Sequence, residues 1–405
     1  MAEEIRIRMY RVGFGDCFLV TFLGPGKHIL IDFGVHQKGN IGTMPDVAAD
    51  IVKETGKKLE LIVLTHNHRD HVSGFADFAS EFAEFEIGEI WMPWTENPSD
   101  KIAAKLRKKQ LALVSALEKH FAAMGAAAAD PKYAGALAAV GNSQANAKGM
   151  GELLRGFGTG AKVRFFTGGE EVKKVGALAG LTALILGPPK GEEFLGKMDP
   201  PAGQGYLTAP GVKSEGVRPF PAGWAISRAD AAKDHPEWLA LPDDEKAIRE
   251  HAEAPADLLA LTLESIRNNT SLVILFRYRG KSLLFPGDAQ WGNWKSWMDN
   301  PEAKDLLSEV DFIKIAHHGS HNATPKPVVE GLTKGKFAAM IPTQSKPFPT
   351  IPRKPLLAAL DKQSGNRAVR SDVVVVPGAP KGPVLKTLPK GFRRGKLWVD
   401  YTLEV

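Results

Sequence analysis

The sequence is poor in cysteine and in long apolar runs, and both scarcities exclude classes of protein. Cys17 is the only cysteine among 405 residues, so an internal disulfide is excluded. Cys17 lies in an apolar strand pattern, and free cysteine is usually buried, so we expect it in the core. No apolar run approaches the roughly 18–20 residues of a membrane span. The acidic start Met1-Ala2-Glu3-Glu4 is unlike a signal peptide, which predicts a cytoplasmic protein without membrane association.

Blocks of five or six like charges are also absent, which gives no sign of a charged tail. The formal net charge is +6 and the pI about 9.1, a mild excess that favours an anionic partner such as a nucleic acid or nucleotide. The densest basic cluster, Lys105-Leu106-Arg107-Lys108-Lys109, is interpreted as a solvated helix face rather than a phosphate site. The sequence shows no repeat of the solenoid kind.

The sequence does contain an unusual cluster of histidines. Thr65-His66-Asn67-His68-Arg69-Asp70-His71 follows the apolar run Leu61-Ile62-Val63-Leu64, which is typical of a buried strand. His66 and His68 are two positions apart and therefore point to the same side of extended backbone. Asp70 and His71 follow where the chain turns and can face a second position. Imidazoles and carboxylates converging from a rigid strand end predict a metal centre, and the spacing suggests two ions.

The remaining pattern predicts an α/β fold with two sheets packed face to face and helices outside, an αββα sandwich. Strand patterns recur from residue 5 to 92, again near 162–186, and from 271 onward. Helices are predicted over Val47–Lys53 and from Gly74 to about Phe85. We expect a single domain over 1–405 with two largely helical or irregular insertions, at about 95–160 and 190–265. One helix is predicted inside the second insertion, from Pro242 to Ala252.

Other acidic and histidine residues also end strands. Asp32 ends the strand that begins at His28, and Asp288 follows Leu283-Leu284-Phe285-Pro286-Gly287. The pair His317-His318 follows a strand over Asp311–Ala316. Since adjacent side chains on extended backbone point oppositely, we predict that only one of these two histidines binds metal. His317 is the preferred ligand and His318 a proton donor or substrate contact; the swapped assignment stays open.

These motifs together resemble the metallo-β-lactamase fold superfamily, and most closely its ComEC-type branch, the hydrolase domain of competence proteins. The resemblance rests on His66-x-His68-x-Asp70-His71 and on four further segments in the same order. Those segments are Val12-Gly13-Phe14-Gly15-Asp16, Leu30-Ile31-Asp32-Phe33-Gly34, Leu283–Asp288 and Lys314-Ile315-Ala316-His317-His318-Gly319-Ser320. It covers roughly residues 5–95, 160–190 and 265–375 and leaves out the two insertions.

The resemblance and the residue types together define an expected site. The expected metal ligands are His66, His68, Asp70, His71, Asp288 and His317. Asp70, Asp288 and His318 are expected to take part in catalysis. Residues expected to orient ligands or contact substrate are Asp32, Asn268, Asn269, Ser320 and His321.

Two positions depart from the pattern of the superfamily. Many members supply a further histidine where this chain has Asn268-Asn269-Thr270-Ser271, and asparagine is a poor zinc ligand. We therefore expect two Zn²⁺ sites of which one is weakly occupied, with Mn²⁺ as the alternative ion. Histidines in the insertions are alternative donors: His120, His235 and His251. The second departure is Ile351, which stands where ComEC-like sequences tend to have a histidine.

The expected activity is hydrolysis by a metal-activated hydroxide. The ComEC-type resemblance and the basic pI favour a phosphodiester, as in a phosphodiesterase or nuclease acting on nucleic acid or a nucleotide. The first alternative is a hydrolase of lactone, thioester or β-lactam carbonyls, because fold does not fix substrate. The second is a non-catalytic binding module on the same scaffold.

Tryptophans add a weaker hint. Side chains at 91, 94, 291, 294 and 297 are candidates for stacking on bases. The preferred interpretation of Trp291, Trp294 and Trp297 is the apolar stripe of a helix, because they are three residues apart.

Overall fold

The structure is a computed structural model that describes residues 3–38, 42–124, 146–206, 266–346, 348–373, 385 and 387–405. The predicted helix Pro242–Ala252 and the candidate donors His235 and His251 lie outside the described residues. The backbone of His120 lies in a described helix, but its side chain is not described.

The strands occur in both halves of the chain. They are β1 Glu4–Tyr10, β2 Gly13–Phe14, β3 Cys17–Phe22, β4 Lys27–Phe33, β5 Gln37–Lys38, β6 Lys58–Val63, β7 Glu86–Pro93, β8 Lys162–Phe166, β9 Glu171–Val172, β10 Leu181–Gly187, β11 Val273–Tyr278, β12 Lys281–Phe285, β13 Phe312–Lys314, β14 Ala338–Ile341, β15 Ala368–Arg370, β16 Phe392–Arg394 and β17 Trp398–Glu404.

Two large sheets contain most of these strands. The first has the order β16-β17-β1-β3-β4-β6-β7-β8, and the second has the order β15-β14-β13-β12-β11-β10-β9. In each sheet the antiparallel part gives way to parallel neighbours, from β4 to β8 in the first and from β12 to β15 in the second. The short strands β2 and β5 pair separately.

The helices lie in the loops between strands and on the outer faces. Their bounds are Met44–Thr55, Arg69–Asp77, Ala79–Phe82, Lys101–Met124, Glu192–Leu195, Trp291–Met298, Ala303–Glu309, Lys326–Gly331 and Lys354–Ser364. Residues 146–154 are helical as well.

Three apolar clusters hold the layers together. The first lies between the two sheets and is built from side chains such as Phe18 and Phe285, whose ring centroids are 5.8 Å apart. The second packs the outer face of the first sheet against nearby helices, with Phe33 and Phe75 in contact. The third does the same for the second sheet around Trp294. Because both faces of each sheet are covered, the expected αββα sandwich is confirmed.

Parallel neighbours explain where functional residues meet. The carboxyl ends of β4 and β6 lie side by side in one sheet, and those of β12 and β13 lie side by side in the other. Loops at such ends carry side chains on a rigid scaffold. Asp32, the histidine cluster, Asp288 and the His317-His318 pair all follow or end these four strands.

Several local predictions can be judged. Cys17 is fully buried, as expected. Trp291, Trp294 and Trp297 are buried on one helix, which confirms the helical stripe. Trp91 and Trp94 are at most 2% exposed, so the prediction that they stack on bases is wrong. Among the described residues, no helix is both long and apolar enough to cross a membrane.

Candidate metal centre

The histidine motif spans a strand end and the first turn of a helix. The helix begins at Arg69, earlier than the predicted Gly74, with His68 at its N-cap in extended conformation. Asp70 therefore sits in the first helical turn, where a negative side chain is favoured by the helix dipole. Gly34 allows this helix to approach β4, because a Cβ there would lie 2.5 Å from the backbone nitrogen of His71.

Asp32 connects the motif to the end of β4. Its carboxylate accepts hydrogen bonds from the backbone nitrogen and from the hydroxyl of Thr65, each at 2.8 Å, and contacts Nδ1 of His71 at 2.8 Å. Asp32 has a φ of 55°, a left-handed conformation that is uncommon for residues other than glycine. The contact to Nδ1 orients the imidazole of His71 so that its Nε2 faces away from Asp32. Asp32 thus lies where a residue that orients a ligand is expected.

A second carboxylate and a second histidine complete a compact group. Asp70, His71, Asp288 and His318 each offer one ligand atom, and these atoms all lie within 4.8 Å of one another. Nε2 of His71 is 3.2 Å from Oδ2 of Asp288, and Nε2 of His318 is 2.9 Å from Oδ2 of Asp70. The group joins positions up to 248 residues apart.

The two adjacent histidines of the second half differ in position. His317 and His318 have φ values of 45° and 54°, so the premise that this pair is extended is wrong. Nδ1 of His318 donates to the carbonyl of Pro342 at 2.9 Å, which leaves its Nε2 for the compact group. Nε2 of His317 instead lies 3.5 Å from Nδ2 of Asn268. The structure brings His318, rather than His317, to the group with Asp288.

His66 and His68 form the other part of the motif. Nε2 of His66 is 2.9 Å from Nδ1 of His68, and the ring of His66 lies 4.2 Å from that of His71. Asn268 is 3% exposed and stands near His317. His66 and His68 are thus two imidazole donors available for a second position, and the amide of Asn268 is a weaker donor for zinc than an imidazole.

A buried lysine holds the Asp288 carboxylate from the other side. Nζ of Lys314 lies 2.9 Å from Oδ1 of Asp288 and 2.6 Å from Oδ2 of Asp16, and it donates to the carbonyl of Gly287 at 2.7 Å. The backbone nitrogen of His317 also donates to Oδ1 of Asp288, at 3.0 Å. Oδ1 of Asp288 thus accepts hydrogen bonds from Lys314 and from the backbone of His317, whereas Oδ2 faces the imidazoles of His71 and His318.

The histidines fall into two electrostatic classes. Burial lowers the pKa of His66 well below its usual value, that of His68 to about 3 and that of His317 to about 4, so these imidazoles are neutral. Burial by itself would also lower the pKa of His71 and that of His318. There, nearby carboxylates, Asp288 foremost, outweigh burial and raise the pKa of both.

The acids of the group are ionised. Burial opposes ionisation of Asp288, but the charges of Lys314, His71 and His318 hold its pKa well below the usual value. Burial likewise opposes ionisation of Asp70. The neighbouring imidazoles of His71 and His318 outweigh this effect and hold the pKa of Asp70 well below its usual value. The group therefore combines two ionised carboxylates with two imidazoles, and each type of group stabilises the charged form of the other.

This donor set fits a divalent cation. Nε2 of His71 is buried and faces Oδ2 of Asp288 at 3.2 Å, while its Nδ1 is held by Asp32. Two imidazoles and two carboxylates are donors that Zn²⁺ and Mn²⁺ both accept. The residues that would hold the ion are Asp70, His71, Asp288 and His318.

The remaining predicted site residues lie further out. The side-chain amide of Asn269 donates to Leu195 and Lys197 carbonyls and accepts from backbone nitrogens, so it holds loops together. Ser320 is buried and donates to Asn322. Nε2 of His321 is 3.1 Å from Oδ1 of Asp199, in the second insertion.

Described parts of both insertions contact the loops of the centre. Asn146 donates to the carbonyl of Asn67, inside the histidine motif, at 3.1 Å. A Cβ on Gly149 would lie 2.8 Å from the carbonyl of Val72, so the helical residues 146–154 pack closely on the motif helix. Leu195 and Lys197 contact Asn269 from the second insertion.

Three charged residues of the site were missed at the sequence level. Lys314 and Asp16 lie within the motifs quoted for the resemblance but had no role assigned. A charged side chain inside the apolar strand Phe312–Lys314 was an available signal, because lysine is rarely buried without a partner. Arg267 is 7% exposed, and its charge helps to lower the pKa of His68. No sequence pattern distinguishes Arg267 from a surface arginine.

Comparison with known proteins bears on this geometry. Residues 10–117 match a family model described as the metallo-beta-lactamase superfamily. No curated protein matches the chain. The crystal structure of the metallo-beta-lactamase fold protein YhfI from Bacillus subtilis is similar at 7% identity, with a TM-score of 0.38, over 90% of this chain and 96% of that one. Residues 10–117, which contain the histidine motif, are thus similar to the metallo-beta-lactamase superfamily.

Proposed function

We propose that this protein is a metal-dependent hydrolase that cleaves phosphodiester bonds, in a nucleic acid or a nucleotide. The observation that carries the proposal is the convergence of Asp70, His71, Asp288 and His318 within 4.8 Å. The family matched by residues 10–117 consists mostly of hydrolases, and it supports the reaction class but not the substrate.

The chain's own groups have distinct tasks in this proposal. A divalent ion held by the four ligands would supply a water of lowered pKa and positive charge opposite the attacked centre. Asp70, whose side chain is 13% exposed, is more open to solvent than Asp288, which is 1% exposed. Asp70 is therefore placed to accept the proton of the attacking water. Nδ1 of His318 is held by the carbonyl of Pro342 and its Nε2 would hold the ion, so Asp70 would return the proton to the leaving oxygen as the phosphorus–oxygen bond breaks.

Charge favours an anionic substrate. Arg267 acts electrostatically on His68, so a permanent cation lies beside the histidine motif. The chain as a whole has a net charge of +6. Both features attract a phosphate group and offer nothing specific to a neutral carbonyl.

The second metal position is weaker in this proposal. His66 and His68 are neutral donors, but Asn268 stands where a third imidazole is common in this superfamily. We propose one well-occupied site for Zn²⁺ or Mn²⁺ and a second that is filled only at higher metal concentration.

A substrate panel with metal-loaded protein tests the function. Bis-para-nitrophenyl phosphate, linear DNA and a simple lactone are incubated with the wild type and with His318→Ala after addition of Zn²⁺ or Mn²⁺. We expect diester cleavage by the wild type and its loss in the variant, with circular dichroism confirming that the variant folds. Lactone cleavage alone would replace the proposal by a carbonyl hydrolase. Less than one metal ion per chain and no cleavage of any ester would make it a binding module.

A further inference from the structure

Three aromatic rings lie side by side next to the candidate metal centre. The ring of Phe14 packs on that of His318, with centroids 4.1 Å apart. Phe348 lies 5.0 Å from Phe14, and His36 lies 6.1 Å from Phe348. None of the three is a metal-ligand candidate. The group of Phe14, His36 and Phe348 is called the aromatic group below.

Backbone contacts fix the base of this group. Phe14 is on β2 and is 4% exposed, and the backbone nitrogen of His36 donates to the carbonyl of Phe14 at 2.8 Å. Because β2 pairs with β5, which begins directly after His36, the two residues come from one small ribbon. Phe14 in turn contacts His318, so the ribbon is attached to the metal centre.

Phe348 comes from a different loop, which packs on the His317-His318 turn. The backbone nitrogen of Arg353 donates to the carbonyl of Gly319 at 3.0 Å. A Cβ on Gly319 would lie 2.6 Å from Cβ of Pro352, so the loop and the turn are in close contact. The ring of Phe348 is therefore linked to His318 through the ring of Phe14, and the loop that carries Phe348 is anchored to the His317-His318 turn.

The exposure of Phe348 is the informative feature. Its side chain is 43% exposed, although it has an apolar partner in Phe14. The other large apolar side chains that the structure describes as exposed are Leu23, Ile102, Leu111 and Leu154, and all four are aliphatic. Phe348 thus presents apolar, aromatic surface to solvent next to the centre where a substrate would react.

We propose that the aromatic group is a substrate subsite for a planar aromatic moiety, such as a nucleobase or an aryl ester, bonded to the reacting phosphate. This inference rests on the proposed function and names its substrate class: diesters with an aromatic group near the phosphorus, rather than simple alkyl diesters. Aromatic faces stack on one another with a preference that aliphatic groups of equal size do not share. Stacking of a base on an exposed aromatic ring is also tolerant of base identity.

Binding of uncleaved ligands tests the subsite without relying on turnover. Phenylphosphonate, cyclohexylphosphonate and methylphosphonate are titrated by calorimetry into Mn²⁺-loaded wild type, Phe348→Ala, Phe348→Trp and Leu23→Ala. Leu23 is a matched control, since it is 42% exposed but lies in the turn after β3, at the opposite end of that strand from Asp16.

We expect the wild type to bind phenylphosphonate roughly tenfold more tightly than methylphosphonate, and several-fold more tightly than cyclohexylphosphonate. Phe348→Ala should reduce the preference for phenylphosphonate over methylphosphonate to about threefold or less. Phe348→Trp and Leu23→Ala should keep the roughly tenfold preference of the wild type. Equal affinity of the wild type for the three phosphonates, or binding of none of them, would overturn the subsite.

The two proposals fail in different ways. Hydrolysis of methyl and aryl diesters without any aryl preference would keep the function and overturn the subsite. Phenylphosphonate binding that depends on Phe348, together with no cleavage of any diester, would keep the subsite and overturn the function.

Discussion

The ammonium nitrogen of Lys314 lies 2.9 Å from Oδ1 of Asp288, and both side chains are at most 2% exposed. This contact occupies one oxygen of the carboxylate and leaves Oδ2 toward His71 and His318. The same ammonium lies 2.6 Å from Asp16, so one buried cation serves two buried carboxylates. Burial of charge is tolerated only with such pairing.

Lys314→Met should therefore destabilise the metal-free protein strongly. Removal of one partner of a buried ion pair leaves uncompensated charge and typically costs about 3–5 kcal/mol. The free energy of unfolding from urea titration measures the effect. Lys295→Met is the matched control, because Lys295 pairs with Asp299 on an exposed helix face and should cost less than about 1 kcal/mol. Similar losses for the two variants would show that Lys314 does not hold Asp288 and Asp16.

Adjacent histidines allow a direct test of the ligand assignment. His318→Ala should weaken metal binding by roughly 100-fold or more, since loss of a ligand exceeds the 10–100-fold cost of losing an orienting partner. His317→Ala should change affinity for the first ion by less than about tenfold, because His317 lies outside the four-residue group. Competition with a chromophoric chelator gives both affinities. A larger loss for His317→Ala would restore the assignment preferred from the sequence.

Asn268→His should strengthen the second metal position. An imidazole at residue 268 would add a third nitrogen donor to His66 and His68. We expect metal content after dialysis to rise from about one toward about two ions per chain. Elemental analysis measures this, with Asn269→His as the neighbouring control. An unchanged content would mean that residue 268 does not face the position of His66 and His68.

Metal affinity should rise with pH across the neutral range. The pKa of His71 and that of His318 are raised above 6.5 in the metal-free protein, because nearby carboxylates outweigh burial. An ion must displace these protons, so affinity should increase by roughly tenfold per pH unit for each proton released, until pH exceeds the raised pKa values. His66, His68 and His317, with lowered pKa values, should release none. Calorimetry in two buffers of different ionisation enthalpy counts the protons, and a flat profile would contradict the assignment.

Sequence patterns predicted the fold well where local chemistry is strong. The apolar run before His66 is β6, and the helix predicted over Val47–Lys53 extends from Met44 to Thr55. The helix after the motif begins at Arg69 instead of Gly74, because Asp70 is favourable in a first turn and neither Arg69 nor His71 interrupts a helix. The strand β15 was not predicted, since Ala368–Arg370 is too short for a recognisable period.

The site was harder to predict, because its details depend on contacts between distant residues. The motif predicted that His66, His68, Asp70 and His71 lie together, since they fall within six positions of the sequence. The sequence favoured His317 over His318 as the residue that joins them, whereas the structure brings His318 to the group. That depends on a left-handed turn and on the carbonyl of Pro342, neither of which has a sequence signal.

The last described strand, β17, lies between β16 and β1 in the first sheet, so it is covered on both edges. β17 pairs with β1 along its full length, and Arg8 of β1 makes two hydrogen bonds to Asp400 of β17 across 392 positions. During synthesis, β1 has one unpaired edge until residues 398–404 have left the ribosome. The order of translation thus delays completion of this sheet until β17 has been made, and an unpaired edge is prone to association with other chains. Early termination before Trp398 should consequently yield aggregates instead of a shorter folded protein.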